Sequence, residues 1–358
     1  MHAKIQYFFI LTLVPFFFFG QGTNERGFEI KSKIGFLAIH HQSMSHLPKE
    51  TAKALEISYF QHTRGSKLWH KAYRYPTIGA TLFIGSVGNT KILGTYTGIY
   101  GFAELPLIKY RKFELNFKFA SGLAYSNVSY YQNPKNVAIG TNWNTMMCFG
   151  LKSIQRFKNS SISLGVDLTH FSNGGYKMPN FGINIPYVSI GYGRRIEKKQ
   201  DYIEKGSSDI PLNKWLYNVF GMYTQNTTRL IGDKRYSVFG TGFSARRYFG
   251  QRAGVEFDLD IISKQVIFSY EPSIPKNQWD VLQLGFYSAY LLPLNNFNFV
   301  LGMGVYLKDT YNLDLPFYFR IGGRYQFLNG LTASYALKTH AGKADYLEFG
   351  LGYTFNYK

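Results

Sequence analysis

Along most of the chain, apolar residues alternate with polar or small ones in segments of about ten, and turn residues separate the segments. A period of two is the signature of a β-strand with one face in each environment. Sixteen segments read this way: 27–41, 52–62, 76–87, 93–107, 111–125, 143–156, 160–172, 182–195, 214–226, 235–249, 251–263, 278–293, 296–308, 315–327, 329–339 and 344–357. The last shows the rule. Leu347, Phe349, Leu351, Tyr353, Phe355 and Tyr357 share one parity, and Glu348, Gly350, Gly352, Thr354 and Asn356 share the other. Segments of about 9–11 residues suit a tilted strand crossing a bilayer. One face then meets lipid and the other a lumen, because backbone groups inside a membrane must pair within a closed barrel. Aromatic residues near strand ends, among them Tyr96, Phe317, Tyr318, Phe355 and Tyr357, are read as an interfacial girdle.

A soluble β-sandwich also alternates, but it does not turn an aromatic face outward over so many long strands. The predicted fold class is therefore all-β: a transmembrane antiparallel β-barrel of about sixteen strands over residues 23–358. The polar stretch at 197–214, and an echo between Thr169-His170 and Thr339-His340, keep two eight-stranded units as the alternative.

Composition then adds the compartment. After a short basic start, an apolar run from about Ile5 to Phe19 precedes polar TNERG. That run is short for a spanning helix and fits an export signal over 1–22 better than an anchor. No later run of 18 apolar residues occurs, and the mean hydropathy of −0.17 excludes a bundle of membrane helices. Cys148 is the only cysteine, so no internal disulfide forms; it reads as a small apolar strand residue. The excess of 40 Lys and Arg over 21 Asp and Glu suits an anionic partner. An exported barrel with no nucleic-acid motif points away from nucleic acid.

Candidate chemistry concentrates in one stretch, LTHFSNGGYKMPNFGIN at 168–184. Ile162, Leu164, Val166, Leu168, His170 and Ser172 share a parity, so a His and a Ser sit on the face that four aliphatic residues mark as lipid-facing. Val188, Ile190 and Tyr192 place Asn184 outward as well, although Ile183 and Ile185 argue the other way. With both termini periplasmic, the 7–8 hairpin lies at the cell surface and the pair faces the outer leaflet. A polar pair in that position is costly without a task, and lipid is its natural substrate.

His170-Phe171-Ser172-Asn173-Gly174-Gly175 followed by Pro179-Asn180-Phe181-Gly182-Ile183 resembles the signature of the lipid A 3-O-deacylase (PagL-type), or acyloxyacyl hydrolase, outer-membrane family. The resemblance implies a small eight-stranded barrel, matched here by about 27–195, with residues 196–358 as additional strands. It also implies an esterase that removes a fatty acyl chain from lipid A, with Ser172 as nucleophile and His170 as base. Asn173 and Asn180 fall on positions that shape the family's site. The family's acid is a Glu fourteen residues after the His, where this chain has Asn184. An Asn carbonyl can still hold an imidazole tautomer, but it supplies no full charge.

If the protein is such an enzyme, the oxyanion is expected to find donors among the Asn173, Gly174 and Gly175 backbone and an Asn side chain. Lys177 is a candidate phosphate contact, with an exposed loop cation as its plainer reading. Asp167 has the wrong parity to replace the acid, and Glu348 reads as lumenal. His40, His41 and His46 match no defined metal spacing, and His340 lacks a Ser two residues on. No metal or cofactor is expected. The expected partners are lipopolysaccharide of the outer leaflet and the outer membrane itself. The competing class is a non-catalytic porin or structural barrel that keeps a relic motif.

Overall fold

The computed structural model describes residues 25–197, 202–203, 206–208, 210–228, 230–270, 277–311 and 315–357. The export signal expected over 1–22 lies outside these residues. Eight strands form a first antiparallel sheet: β1 (Glu25–Gly35), β2 (Ala52–His62), β3 (Thr77–Ser86), β4 (Thr95–Tyr110), β5 (Phe113–Ser126), β6 (Trp143–Arg156), β7 (Ser160–Ser172) and β8 (Ile183–Arg195). Eight more form a second: β9 (Trp215–Thr227), β10 (Arg235–Gly250), β11 (Ala253–Lys264), β12 (Leu282–Leu294), β13 (Phe297–Lys308), β14 (Phe317–Gln326), β15 (Leu331–His340) and β16 (Lys343–Phe355).

The strands fall where the alternation placed them. Their closure differs from the single sixteen-stranded barrel expected first. β1 pairs with β8 and β9 with β16, so the chain makes two closed eight-stranded barrels. Each closes because its first and last strands find register, Gly35 opposite Tyr187 and Tyr217 opposite Phe355.

Both barrels are apolar outside and charged inside. In β1, Phe28, Ile30 and Ile34 point outward and are about half exposed, whereas Glu29, Lys31 and Lys33 point inward and are buried. Such a polarity is stable only where lipid surrounds the wall. The lumen is filled rather than open, as eight strands require. Glu56 accepts from Lys31 at 3.1 Å and Lys33 at 3.0 Å, with Lys118 at 3.6 Å. Lys33 also bonds Asp167 at 2.8 Å, and Lys152 bridges Glu29 and Glu104, each at 2.8 Å. In the second barrel Arg320 joins Asp260 at 2.5 Å and Glu348 at 2.9 Å, and Arg324 joins Glu256. These charges are tolerable away from water because each of them has a partner of opposite sign. The wide aqueous lumen that a porin needs is not what two side-chain-filled barrels offer.

Some aromatic residues read as girdle are instead internal. Tyr96 is fully buried against Phe171, with ring centroids 4.8 Å apart, and Tyr318 donates to Asp260 inside the second lumen. Tyr357 also turns inward, while Phe355 stays outside. Tyr96 and Tyr318 lie on the lumen-facing parity of β4 and β14, and Tyr357 lies beyond the end of β16, where strand alternation no longer sets direction.

The barrels lie side by side. Ile78 and Ala103 of the first share an apolar cluster with Leu294 and Phe297 of the second, and Phe119 meets Phe299 at 5.6 Å between ring centroids. Near the opposite rim, the Gly174–Gly175 turn abuts Leu347 and the Asp345 carbonyl; a Cβ on Gly174 would lie 2.4 Å from Leu347.

Glu56 is the hub of the first lumen. Glu56→Gln is expected to destabilise the protein by about 3–5 kcal/mol, because it leaves buried ammonium groups without their counter-ion. Urea unfolding in detergent micelles measures this; a loss below about 1 kcal/mol would show that the lumen compensates.

Candidate functional site

The residues at 168–184 lie at one rim of the first barrel, where β7 ends and β8 begins. The structure puts Leu168 outward and exposed, with His170 and Ser172 on the same face, and it buries Phe171 inside against Phe83 and Tyr96. The exposed Val188, Ile190 and Tyr192 fix the same parity in β8, so Asn184 is outward as expected. Ile183 and Ile185 are interior. Antiparallel pairing sets His170 directly opposite Asn184.

His170 Nδ1 and Asn184 Oδ1 are 2.6 Å apart. Asn184 Nδ2 lies 3.2 Å from His40 Nδ1, and His40 Nε2 lies 2.8 Å from the Phe181 carbonyl. That carbonyl can only accept, so His40 carries its proton on Nε2. With that proton on Nε2, His40 accepts on Nδ1 from the Asn184 amide, which leaves the Asn184 carbonyl facing His170. His170 therefore donates from Nδ1, and its Nε2 keeps a free lone pair. One chain of three hydrogen bonds thus fixes the tautomer that a general base requires.

Ser172 is held by a different set. Asn180 Oδ1 accepts from the Asn173 N–H at 3.0 Å, and because a backbone N–H only donates, this fixes the amide orientation. Ser172 Oγ lies 3.2 Å from Asn180 Oδ1 and receives Asn180 Nδ2 at 3.0 Å and the Gly174 N–H at 3.1 Å. Thr145 Oγ1 donates to the Ser172 carbonyl at 2.7 Å. The structure gives Ser172 and His170 one face but no mutual hydrogen bond; the hydroxyl rests on Asn180.

The donors expected for an oxyanion are redistributed. Gly174 N–H and Asn180 Nδ2 converge on Ser172 Oγ, whereas Gly175 N–H bonds Asn173 Oδ1 at 3.1 Å and serves the turn. Asn173 also donates to the Lys177 carbonyl at 2.7 Å. Gly174 and Gly175 adopt φ of 64° and 81°, which glycine takes without the Cβ penalty. Lys177 Nζ sits 3.5 Å from the centre of the Tyr131 ring.

The other candidates are placed elsewhere. Asp167 and Glu348 are lumenal, paired with Lys33 and Arg320, and neither approaches His170. His41 stacks on Phe181 at 4.2 Å, His46 bonds the Lys135 carbonyl at 2.8 Å, and His340 bonds the Tyr306 hydroxyl at 3.0 Å. Sequence reading missed His40 as a partner of Asn184. It extended β1 to residue 41, whereas the strand ends at Gly35 and the following turn carries His40 back to the site. No spacing could reveal this, since 144 residues separate the two and only the β1–β8 closure joins them.

Toward the membrane, a shallow, open apolar groove of about 550 Å³ lies on the wall, lined by Ile34, Phe36, Val166, Leu168, Pro186 and Val188; its Leu168 and Pro186 are the outward pair next to His170 and Asn184.

Residues 53–193 match the family model described as lipid A 3-O-deacylase (PagL). Residues 213–357 match that of the acyloxyacyl hydrolase C-terminal domain, so the second barrel has a family model of its own. Among curated proteins there is no match. Solved structures that match include a triple mutant of the Rhodopseudomonas blastica porin, at 8% identity and a TM-score of 0.18, covering 93% of this chain and 100% of the porin. Another is OccAB3 of Acinetobacter baumannii, at 9% identity and a TM-score of 0.24, covering 93% of this chain and 99% of that one. Overlaps this weak bear on neither lumen nor activity.

Gly182 has φ of 78°, and a Cβ there would lie 2.8 Å from His170 Cε1. Gly182→Ala is expected to cost about 1–2 kcal/mol of stability from backbone strain alone. It should also displace the imidazole from Asn184, read as loss of the hydrogen-bonded His170 Nδ1 proton signal by NMR. A retained signal would mean the loop absorbs the methyl group.

Proposed function

Because this chain belongs to the lipid A 3-O-deacylase (PagL) family, whose members are ester hydrolases, we propose that it removes a fatty acyl chain from lipid A with Ser172 as nucleophile and His170 as general base. The observation that carries the proposal is the outward His170–Asn184–His40 chain, which leaves His170 Nε2 unprotonated two residues from a hydroxyl on the same strand face.

In this reading, substrate entry draws the Ser172 hydroxyl from Asn180 Oδ1 toward His170 Nε2. Hydrogen bonds of this kind often tighten only with substrate bound. His170 takes the proton as Oγ attacks the ester carbonyl, and the resulting oxyanion is met by the Gly174 N–H and Asn180 Nδ2. His170 returns the proton to the departing sugar hydroxyl, and water then cleaves the acyl-enzyme by the reverse path. Asn184 holds the imidazole in register but adds no negative charge, and His40 orients Asn184. The acyl chain that is transferred to Ser172 lies along the apolar groove below. Substrate arrives by diffusion in the outer leaflet of the outer membrane, where an export signal at 1–22 would deliver the barrel. The filled lumens favour this reading over a channel.

Mass spectrometry of lipid A from cells expressing the protein tests the activity. Loss of one acyl mass is expected with the wild type and not with Ser172→Ala. Unchanged lipid A in both, with the barrel folded in the membrane, would remove the deacylase reading. His40→Ala frees the Asn184 amide to turn, so kcat is expected to fall about tenfold with KM little changed, the cost of one hydrogen bond in the transition state of about 1.4 kcal/mol. An equal rise in KM would instead place His40 in substrate binding.

A further inference from the structure

Between the barrels, on the same rim as Ser172, lies a cleft of about 840 Å³. Its wall toward the first barrel carries Trp143, Tyr131 and Lys177, and its wall toward the second carries Asp233, Lys234 and Arg235 from the β9–β10 turn. Trp143 is outward on β6, two residues from the Thr145 that bonds the Ser172 carbonyl. Lys177 is tied through its own carbonyl to Asn173. The cleft is therefore continuous with the Ser172 turn.

Its electrostatics differ from those of the lumens. There every cation described above sits on a carboxylate; here, among the described residues, none of Lys177, Lys234 and Arg235 has an ion pair. They rest on rings instead: Lys177 over Tyr131 at 3.5 Å, Arg235 over Tyr176 at 4.6 Å and Lys234 over Tyr236 at 5.2 Å. Asp233 is the one carboxylate among the described lining residues, and it is engaged by Thr228 Oγ1 and the Lys234 N–H. Three cations face one occupied anion, with flat aromatic faces between them. Cations without counter-ions beside the exposed Tyr131 and Trp143 rings suit a phosphorylated saccharide: the rings take the sugar face and the cations take phosphate oxygens.

We propose that this cleft seats the phosphorylated saccharide headgroup of a glycolipid, and that the second barrel, through Lys234 and Arg235, supplies most of the charge that holds it. The inference rests on the deacylase reading for the identity of the lipid, and adds to it a binding subsite shared by two barrels. The headgroup at this rim would set its acyl chains against the wall that carries Ser172 and the groove beneath His170. The second barrel then has a role in substrate recognition beyond packing.

The test is equilibrium binding to the full chain in detergent micelles, in a Ser172→Ala background so that nothing is turned over. The probes are diphosphorylated lipid A, the same lipid with both phosphates removed, and inorganic phosphate. Replacing Lys234 and Arg235 together by Gln is expected to weaken binding of the diphosphorylated lipid about tenfold or more and to flatten its salt dependence. Binding of the dephosphorylated lipid should stay within a factor of two. The charge-preserving pair Lys234→Arg with Arg235→Lys is expected to retain the affinity, which separates loss of charge from loss of fold. Equal losses on both lipids, or no loss on either, would overturn the proposal. Inorganic phosphate binding as tightly as the lipid would also overturn it, in favour of a free-anion site. Phosphate-selective binding without any hydrolysis by the wild type would sink the deacylase reading alone; hydrolysis indifferent to Lys234, Arg235 and phosphate would sink the headgroup seat alone.

Discussion

The buried ion-pair lattice is what allows everything else in this protein to face outward. Glu56, with Lys31, Lys33 and Lys118 around it, fills the first lumen, and Arg320 with Asp260 and Glu348 fills the second. Removing so many charges from water is tolerable only when each finds opposite charge at close range. Once that is met, the outward faces are free to be apolar and a lipid bilayer becomes the solvent that stabilises them. A filled lumen also leaves the wall as the place for chemistry on a membrane-embedded substrate.

The site exploits that wall at its edge. His170, Asn184 and Ser172 lie where two outward strand faces leave the apolar band, so the polar atoms lie near the rim. Antiparallel register makes Asn184 the direct neighbour of His170, and barrel closure brings His40 to Asn184. A carboxylate in place of Asn184 would stabilise the imidazolium by charge; the amide stabilises only one tautomer, and needs His40 to keep it from turning over. At this position, where the family resemblance implies a Glu, the structure thus joins Asn184 and His40 in one hydrogen-bonded chain.

A second barrel changes what the first can do. The Gly174–Gly175 turn packs on Leu347 and Asp345, so the loop that positions Ser172 is braced by a neighbour instead of standing free. The same contact opens a basic, ring-lined cleft beside the serine. Two modest barrels, each with a filled core, create between them a concave surface that neither has alone.

Much of this was legible in the residues themselves. Strict alternation in segments such as 160–172 and 344–357 located the strands, because side-chain direction reverses at every residue and lipid on one face enforces the pattern. The same parity put His170, Ser172 and Asn184 outside and Asp167 inside, and the His-Phe-Ser-Asn-Gly-Gly run carried the family. Closure was not legible: whether β8 turns back to β1 or continues to β9 depends on edge strands finding register, and the same alternation serves one large ring or two small ones. Nor was His40 legible, since its link to Asn184 exists only after the ring closes, nor the inward turn of Tyr96 and Tyr318. Local pattern determined the strands and their faces because it is written residue by residue; tertiary structure decided the ring size, the third member of the hydrogen-bond chain and the cleft between barrels, because each joins residues that the sequence holds far apart.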